Sequence, residues 1–276
     1  MPSSLRPLTT GQLLDRTFQT YRQHFVIFAG IASVPQVCLL VIQLTTLAAV
    51  GTVKPTNTGA ILVAALFGVA TLIASIVVGA ISTAATTFAV SDLHLEKPTT
   101  ISSCFARVKG KVGRVIYTSI EYGLRVGFGF ILLIVPGLYW SGKYGLAVPA
   151  VVLEDIKAKQ AFKRSAELTQ DSVGRIMTIY LLTWILVFVI GAGFGVLLVM
   201  VAPALSKAAG TVTSEAVQHI LTAIINTVVT PVMSIALTLA YYDQRVRKEA
   251  FDIENMMSML GEPVPPPQEK AAGTSA

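Results

Sequence analysis

The sequence predicts an all-α polytopic membrane bundle: six transmembrane helices, with amphipathic helices on the cytosolic side. Three observations carry that prediction. Of 276 residues, 53% are hydrophobic and only 13% charged, whereas a soluble domain carries about 25% charged residues. Mean hydropathy is +0.68, and a core of this size cannot hide so much apolar surface from water. Six apolar stretches long enough to cross a bilayer alternate with connectors, and the basic residues gather in every second connector.

Taken in order, an interfacial helix is expected over about 9–24, capped by Thr9 or Thr10. Leu14, Phe18, Tyr21 and Phe25 recur at spacings of four, three and four and mark its apolar face. The first span covers about 25–50, with Pro35 as an expected kink. A short turn leads to the second span, about 60–90, long enough to tilt or project. A second amphipathic helix, about 99–111, aligns Ile101, Cys104, Phe105, Val108 and Val112. The third span is about 112–135, Pro136-Gly137 is expected to turn tightly, and the fourth span is about 137–152.

A charged helix over about 155–170 places Ala158, Ala161, Phe162, Ser165 and Leu168 on its quieter face. The fifth span, about 174–201, and the sixth, about 217–242, are joined by a small-residue loop around 203–213, and Pro231 is expected to kink the sixth. A last amphipathic helix, about 243–260, sets Val246, Ala250, Ile253, Met257 and Leu260 on one face; Arg245 is four residues from Glu249 and Lys248 from Asp252. Residues 1–260 thus form one integral membrane domain. Proline and small polar residues over 261–276 predict a disordered tail. The first span is too long for a signal h-region and is expected to stay in the mature chain.

Orientation follows from charge. Arg6, Arg16 and Arg22 precede the first span; Lys97, Arg107, Lys109, Lys111 and Arg114 surround the second connection. Lys157, Lys159, Lys163, Arg164 and Arg175 occupy the fourth, and Arg245, Arg247, Lys248 and Lys270 the tail. Seventeen of 21 basic residues therefore share one face; only Lys54 and Lys207 lie in opposite loops, and Arg125 and Lys143 lie within spans. The positive-inside rule puts both termini in the cytoplasm. The net charge of +6 does not predict nucleic-acid binding, because no aromatic-basic groove accompanies it. Anionic lipid headgroups are the expected partner, at about 1 kcal/mol per nearby Lys or Arg. Cys38 and Cys104 fall on different elements, so no bridge is expected between them.

A motif recurs three times: an amphipathic cytosolic helix followed by a pair of spans. Leu14-Asp15-Arg16, Phe105-Ala106-Arg107 and Phe162-Lys163-Arg164 occupy corresponding places, and Val112-Gly113-Arg114-Val115-Ile116 parallels Val173-Gly174-Arg175-Ile176-Met177. A threefold duplication of helix plus hairpin, parallel about the membrane normal, and mere similarity of membrane-crossing chemistry both account for this.

Two longer stretches carry a family resemblance. One is Leu146-Ala147-Val148-Pro149-Ala150-Val151-Val152-Leu153-Glu154, followed by Ala161-Phe162-Lys163-Arg164-Ser165; the other is Ala240-Tyr241-Tyr242-Asp243-Gln244-Arg245-Val246-Arg247-Lys248-Glu249, running on to Glu254. With Leu14-Asp15-Arg16-Thr17-Phe18, they resemble the prokaryotic glycerophosphoryl diester phosphodiesterase membrane domain, over nearly all the chain but its tail. The resemblance implies a multi-helical module in a prokaryotic cytoplasmic membrane. It does not bring the activity. The catalytic barrel of that family opens on His-Arg-Gly, whereas His24, His94 and His219 are followed by Phe25, Leu95 and Ile220, and no soluble segment approaches the ~250 residues a barrel needs.

The sharpest chemical signal is Glu121 with Arg125, four apart on the third span, with Lys143 on the fourth and Asn226 on the sixth. By rise per residue Arg125 falls near mid-bilayer, where an unpaired Arg costs at least about 2.5–3.5 kcal/mol. It is therefore expected to pair with Glu121, and Lys143 to snorkel toward the opposite surface. Gly123 and Gly127 form a GxxxG expected to pack against a neighbouring helix, and Gly191, Gly193 and Gly195 interrupt the fifth span. His94 and His219 lie far apart, so no metal site is expected. Nucleophile–base pairs, Walker loops and dinucleotide fingerprints are absent from the sequence, and no cofactor is expected. The expected role is a non-enzymatic scaffold or interaction module. The alternative is a transporter, or a lipid- or ion-handling protein, with a polar path near Glu121, Arg125 and Asn226.

Overall fold

In the computed structural model, residues 8–50 and 58–259 are described, and they are helical apart from short connections. The expected tail over 261–276 and the first inter-span turn lie outside the described residues, as do the side chains of Ala250, Ile253, Met257 and Leu260. Ten helices follow one another: α1 (Thr10–Gln23), α2 (Phe25–Val50), α3 (Thr58–His94), α4 (Ile101–Lys109) and α5 (Val112–Leu132) form the first half. The second half comprises α6 (Ile134–Tyr144), α7 (Ala147–Glu154), α8 (Ala158–Thr169), α9 (Val173–Ala209) and α10 (Thr211–Met259). Five of them, α2, α3, α5, α9 and α10, are long and apolar enough to cross a membrane.

The first amphipathic helix begins where its expected cap predicts. Thr9 accepts from Gln12 N while Gln12 Oε1 accepts from Thr9 N, a reciprocal capping box. Thr100 and Ser103 repeat the arrangement at α4. Cys104 and Val108 are buried, and the whole expected face of α8 is buried with them. On α1 the buried positions are Leu13 and Thr17, whereas Phe18 and Phe25 are exposed and only Leu14 and Tyr21 pack on the core. The face is rotated because α10, with α9 and α2, packs against α1 from that side.

Four boundaries differ from expectation. The turn falls at Leu133, in extended conformation (φ −170°, ψ 158°), and Pro136-Gly137 belongs to α6 instead. A proline is tolerated in a first helical turn. Gly137 serves contact rather than turning: a Cβ on Gly129 would lie 2.9 Å from Gly137 Cα, so these two glycines let α5 and α6 touch backbone to backbone. By contrast, a Cβ on Gly123, Gly127, Gly191, Gly193 or Gly195 meets nothing within 4 Å. Among the described residues the GxxxG packs against no neighbour.

The fourth stretch arrives as two pieces, the 11-residue α6 and the 8-residue α7, meeting at Gly145-Leu146. The expected loop at 203–213 shrinks to Gly210, whose φ of +87° is open to glycine. Pro203 lies inside α9, and α2 and α10 run on through Pro35 and Pro231. The sixth stretch and the tail helix are one helix, α10.

The buried core collects at one end. It takes Leu13, Phe28, Ile31, Ala84 to Val90, Val108, Val115, Leu146 to Val152, Phe162, Ile176, Ile179 and Ile235 to Tyr241. At the other end the outer halves of α3 and α9 are bare: Leu66 and Val199 are each 70% exposed. A helix this apolar and this exposed is stable only in hydrocarbon.

Candidate functional site

The packed end is closed by ion pairs drawn from sequence-remote elements. Asp243, its side chain only 3% exposed, accepts from Leu8 N at 2.7 Å, from Arg175 at 2.6 Å and from Arg247 at 2.9 Å. Arg175 and Arg247 both donate back to the Leu8 carbonyl. Leu8, the first turn of α9 and the Asp243–Arg247 stretch of α10 are thereby latched together at one end of the bundle. A second latch centres on Glu154 at the end of α7, which accepts from Tyr241 Oη and from Arg164 Nε at 3.0 Å. Arg164 also reaches Glu249 at 2.8 Å, and Glu249 accepts from Arg245. Burial disfavours the charge of Arg164, but the bonds to Glu154 and Glu249 outweigh it and hold its pKa above the ordinary value.

Two smaller pairs complete the rim. Arg107 meets Asp92 at 2.8 Å and lies 4.1 Å over the Phe88 ring. Asp155, left-handed at φ +57°, receives Lys111 at 3.0 Å and Arg114 at 2.7 Å. The hydrogen bond and charge of Lys111, with Arg114 adding, hold the Asp155 carboxyl below its usual range. Arg245 pairs with Glu249 as the spacing predicts, while Lys248 reaches Asp171 at 2.8 Å.

The four residues singled out in the sequence separate. Arg125 pairs with Glu121 as expected. It does not sit in a polar channel: its guanidinium lies 4.1 Å over the Phe162 ring of α8 and 5.1 Å from the Tyr144 ring. Lys143 does not snorkel to the far surface. Its carbonyl accepts from Ser165 and Thr169 of α8 and its ammonium lies over the Tyr139 and Tyr144 rings, at the same packed end. Both shifts have one cause: α6 is short and packs against α8. Asn226 is exposed on α10, apart from the other three.

Two cavities with polar groups in their walls lie among the described residues. A hydroxyl-lined one of about 300 Å³ lies between α3, α5, α7 and α10, with Ser75, Thr83, Ser119, Tyr122, Thr230 and Ser234 among its walls. Ser75 and Thr87 donate to the Leu72 and Thr83 carbonyls of their own helix, while the buried Tyr122 hydroxyl has no hydrogen-bond partner among the described residues. The other, about 450 Å³, opens between α1 and the ends of α3 and α10. Gln12, Asp15, Arg16, Gln19, His24 and His94 line it. Among the described residues Arg16 makes no ion pair, and His94 Nδ1 is buried without a hydrogen-bond partner. His94 is held in place by its ring contact with Tyr242, 4.8 Å between centroids. Sequence reasoning missed this cleft, because Arg16 and His94 are remote in the chain and meet only through α1 docking. Among the described residues no group of three His, Cys, Asp or Glu is placed to hold a metal, and Cys38 and Cys104 are both free, on different helices.

The family comparison falls on the second part of this architecture. Residues 99–244 match a domain of unknown function, DUF7847. The chain belongs to that family. The DUF7847 stretch begins one residue before the α4 cap and ends one residue after Asp243, so it contains the Arg175–Asp243 pair and the α5–α6 hairpin but neither Arg16 nor His94. No curated protein and no solved structure matches the chain.

Proposed function

We propose that this DUF7847 protein is a non-enzymatic scaffold of a prokaryotic cytoplasmic membrane, with both termini cytosolic, whose latched end presents the α1 cleft to anionic lipid headgroups. The observation that carries the reading is the cleft itself: Arg16, without an ion-pair partner among the described residues, beside a polar hollow at the basic end of the bundle. A phosphate-bearing headgroup supplies acceptors for Arg16 and for a His94 N–H, and the amides of Gln12 and Gln19 can add donors. The basic bias of that end supports the cytosolic orientation. The three successions α1–α2–α3, α4–α5–α6 and α8–α9–α10, with Arg114 and Arg175 each meeting an aspartate from the first turn of its span, support a threefold helix-plus-hairpin origin. They also favour kinship with the glycerophosphoryl diester phosphodiesterase membrane domain, since Glu154, Arg164, Tyr241 and Glu249 from its motif stretches form one network.

Transport through Glu121 and Arg125 is the weaker reading, because Arg125 is engaged by Glu121 and by the Phe162 and Tyr144 rings; the hydroxyl-lined cavity is what favours it. Lipid retention separates the two. In nanodiscs containing phosphatidylglycerol, Arg16→Gln should weaken headgroup binding about 10- to 100-fold, the loss of a hydrogen bond to a charged group, with no solute flux in either protein. Equal binding by the variant, or flux abolished by Arg125→Ala in a folded protein, would refute the scaffold reading.

A further inference from the structure

The α5–α6 hairpin is too shallow to cross a bilayer. Arg125 touches Phe162 of α8, and α8 marks the aqueous surface, since Lys163 and Glu167 stand out from it with side chains 80% and 50% exposed. Only eight residues separate Arg125 from the Leu133 turn, about 12 Å of helix. On the return, the Lys143 carbonyl is bonded to Ser165 of α8, ten residues or about 15 Å from that turn. Gly142 lies against Val173 and Met177, the first turn of α9. The buried positions of α9 are Ile176, Ile179 and Thr183, and Trp184 is already 49% exposed, so the cover that α6 gives ends there. All these marks put the tip near the middle of a ~30 Å hydrocarbon layer.

The chemistry of the tip agrees. From Gly127 to Leu138 there is no polar side chain, whereas the connectors 51–59 and 206–215 are rich in Lys, Thr, Asn and Ser. Ile131, Leu133 and Val135 are 82%, 69% and 74% exposed. The turn is partly paired within itself: Leu133 N donates to the Gly129 carbonyl at 3.0 Å and Gly137 N to the Leu133 carbonyl at 3.3 Å. Each such bond lowers the cost of placing non-helical backbone in hydrocarbon.

We propose that α5–α6 is a wedge in the cytosolic leaflet: it enters and leaves on the cytosolic side, and its partner is the acyl chains of that leaflet. This rests on the orientation proposed above. Four helices, α2, α3, α9 and α10, then cross completely, and the protein occupies more area in the cytosolic leaflet than in the outer one.

The test uses the full chain with Cys38 and Cys104 replaced by Ser and one new cysteine at a time. Leu133→Cys and Val135→Cys should resist a membrane-impermeant maleimide from either face, while Lys207→Cys labels from outside and Lys163→Cys from inside. A nitroxide at position 133 should favour oxygen over a water-soluble nickel chelate, at a depth of about 12–15 Å from the cytosolic boundary. External labelling of Leu133→Cys, or a nitroxide at the outer headgroups, overturns the wedge while leaving the orientation intact. If Lys207→Cys labels only from inside, the orientation fails, and the nitroxide depth still decides the wedge.

Discussion

Asp243 is where the bundle is most exposed to a single substitution. Asp243→Ala deletes three hydrogen bonds and leaves two guanidinium groups and one backbone N–H without their acceptor. The two pairs are not equal. Arg247 is 37% exposed and can turn to water; Arg175 is 17% exposed against a carboxylate that is 3% exposed, so its charge stays desolvated. Removing one partner of such a buried pair costs about 3–5 kcal/mol, and the low end applies because Arg175 keeps the Leu8 carbonyl as an acceptor. The expectation is a loss of about 3 kcal/mol for Asp243→Ala and less for Asp243→Asn, which keeps an acceptor for Leu8 N. Unfolding in mixed detergent–SDS micelles measures it, with Arg175→Gln and the double variant completing a cycle. Were Asp243→Ala within about 0.5 kcal/mol of the wild type, in the range of ordinary surface changes, the latch would be no structural element and the reasoning from burial would fail.

Other consequences follow from the same contacts. Arg125→Ala removes an ion pair and two ring contacts, and should cost about 1–2 kcal/mol of stability in the same micelle assay. Gly129→Val should separate α5 from α6, because even a Cβ would stand 2.9 Å from Gly137 Cα; a loss of about 1–3 kcal/mol is expected, against almost none for Gly127→Ala, where nothing lies within 4 Å. The depressed pKa of Asp155 means its pairing with Lys111 and Arg114 is complete above the unfolded pKa of about 3.9 and is lost as pH falls through the lower folded value. A carboxyl titration that places Asp155 at or above the ordinary value would contradict that pairing.

Much of the fold was legible because hydropathy and capping act locally. Thr9 marks a helix start through bonds three residues long, and the apolar face of α8 follows from spacing alone. The shallow hairpin was not legible, because Val112 to Val152 reads by composition as two spans, and only the docking of Lys143 and Arg125 on α8 shows how far they reach. Glu121 and Arg125 drew attention as charges in an apolar run, yet the larger network joins Glu154, Arg164, Tyr241 and Glu249. Their sequence separations of up to 95 residues conceal it from any periodicity. Asn226 shows the converse: a polar residue in a span carries no site unless tertiary structure gathers others around it.

The claim on which the rest depends is that a lipid-embedded bundle latches its two ends together on one membrane face. Single cysteines at Arg22 and Glu262, probed with an impermeant maleimide on right-side-out and inverted vesicles, address it directly. Both should react only in inverted vesicles. Reaction of the two from opposite faces, or a purified chain that stays monodisperse without detergent, would contradict the account.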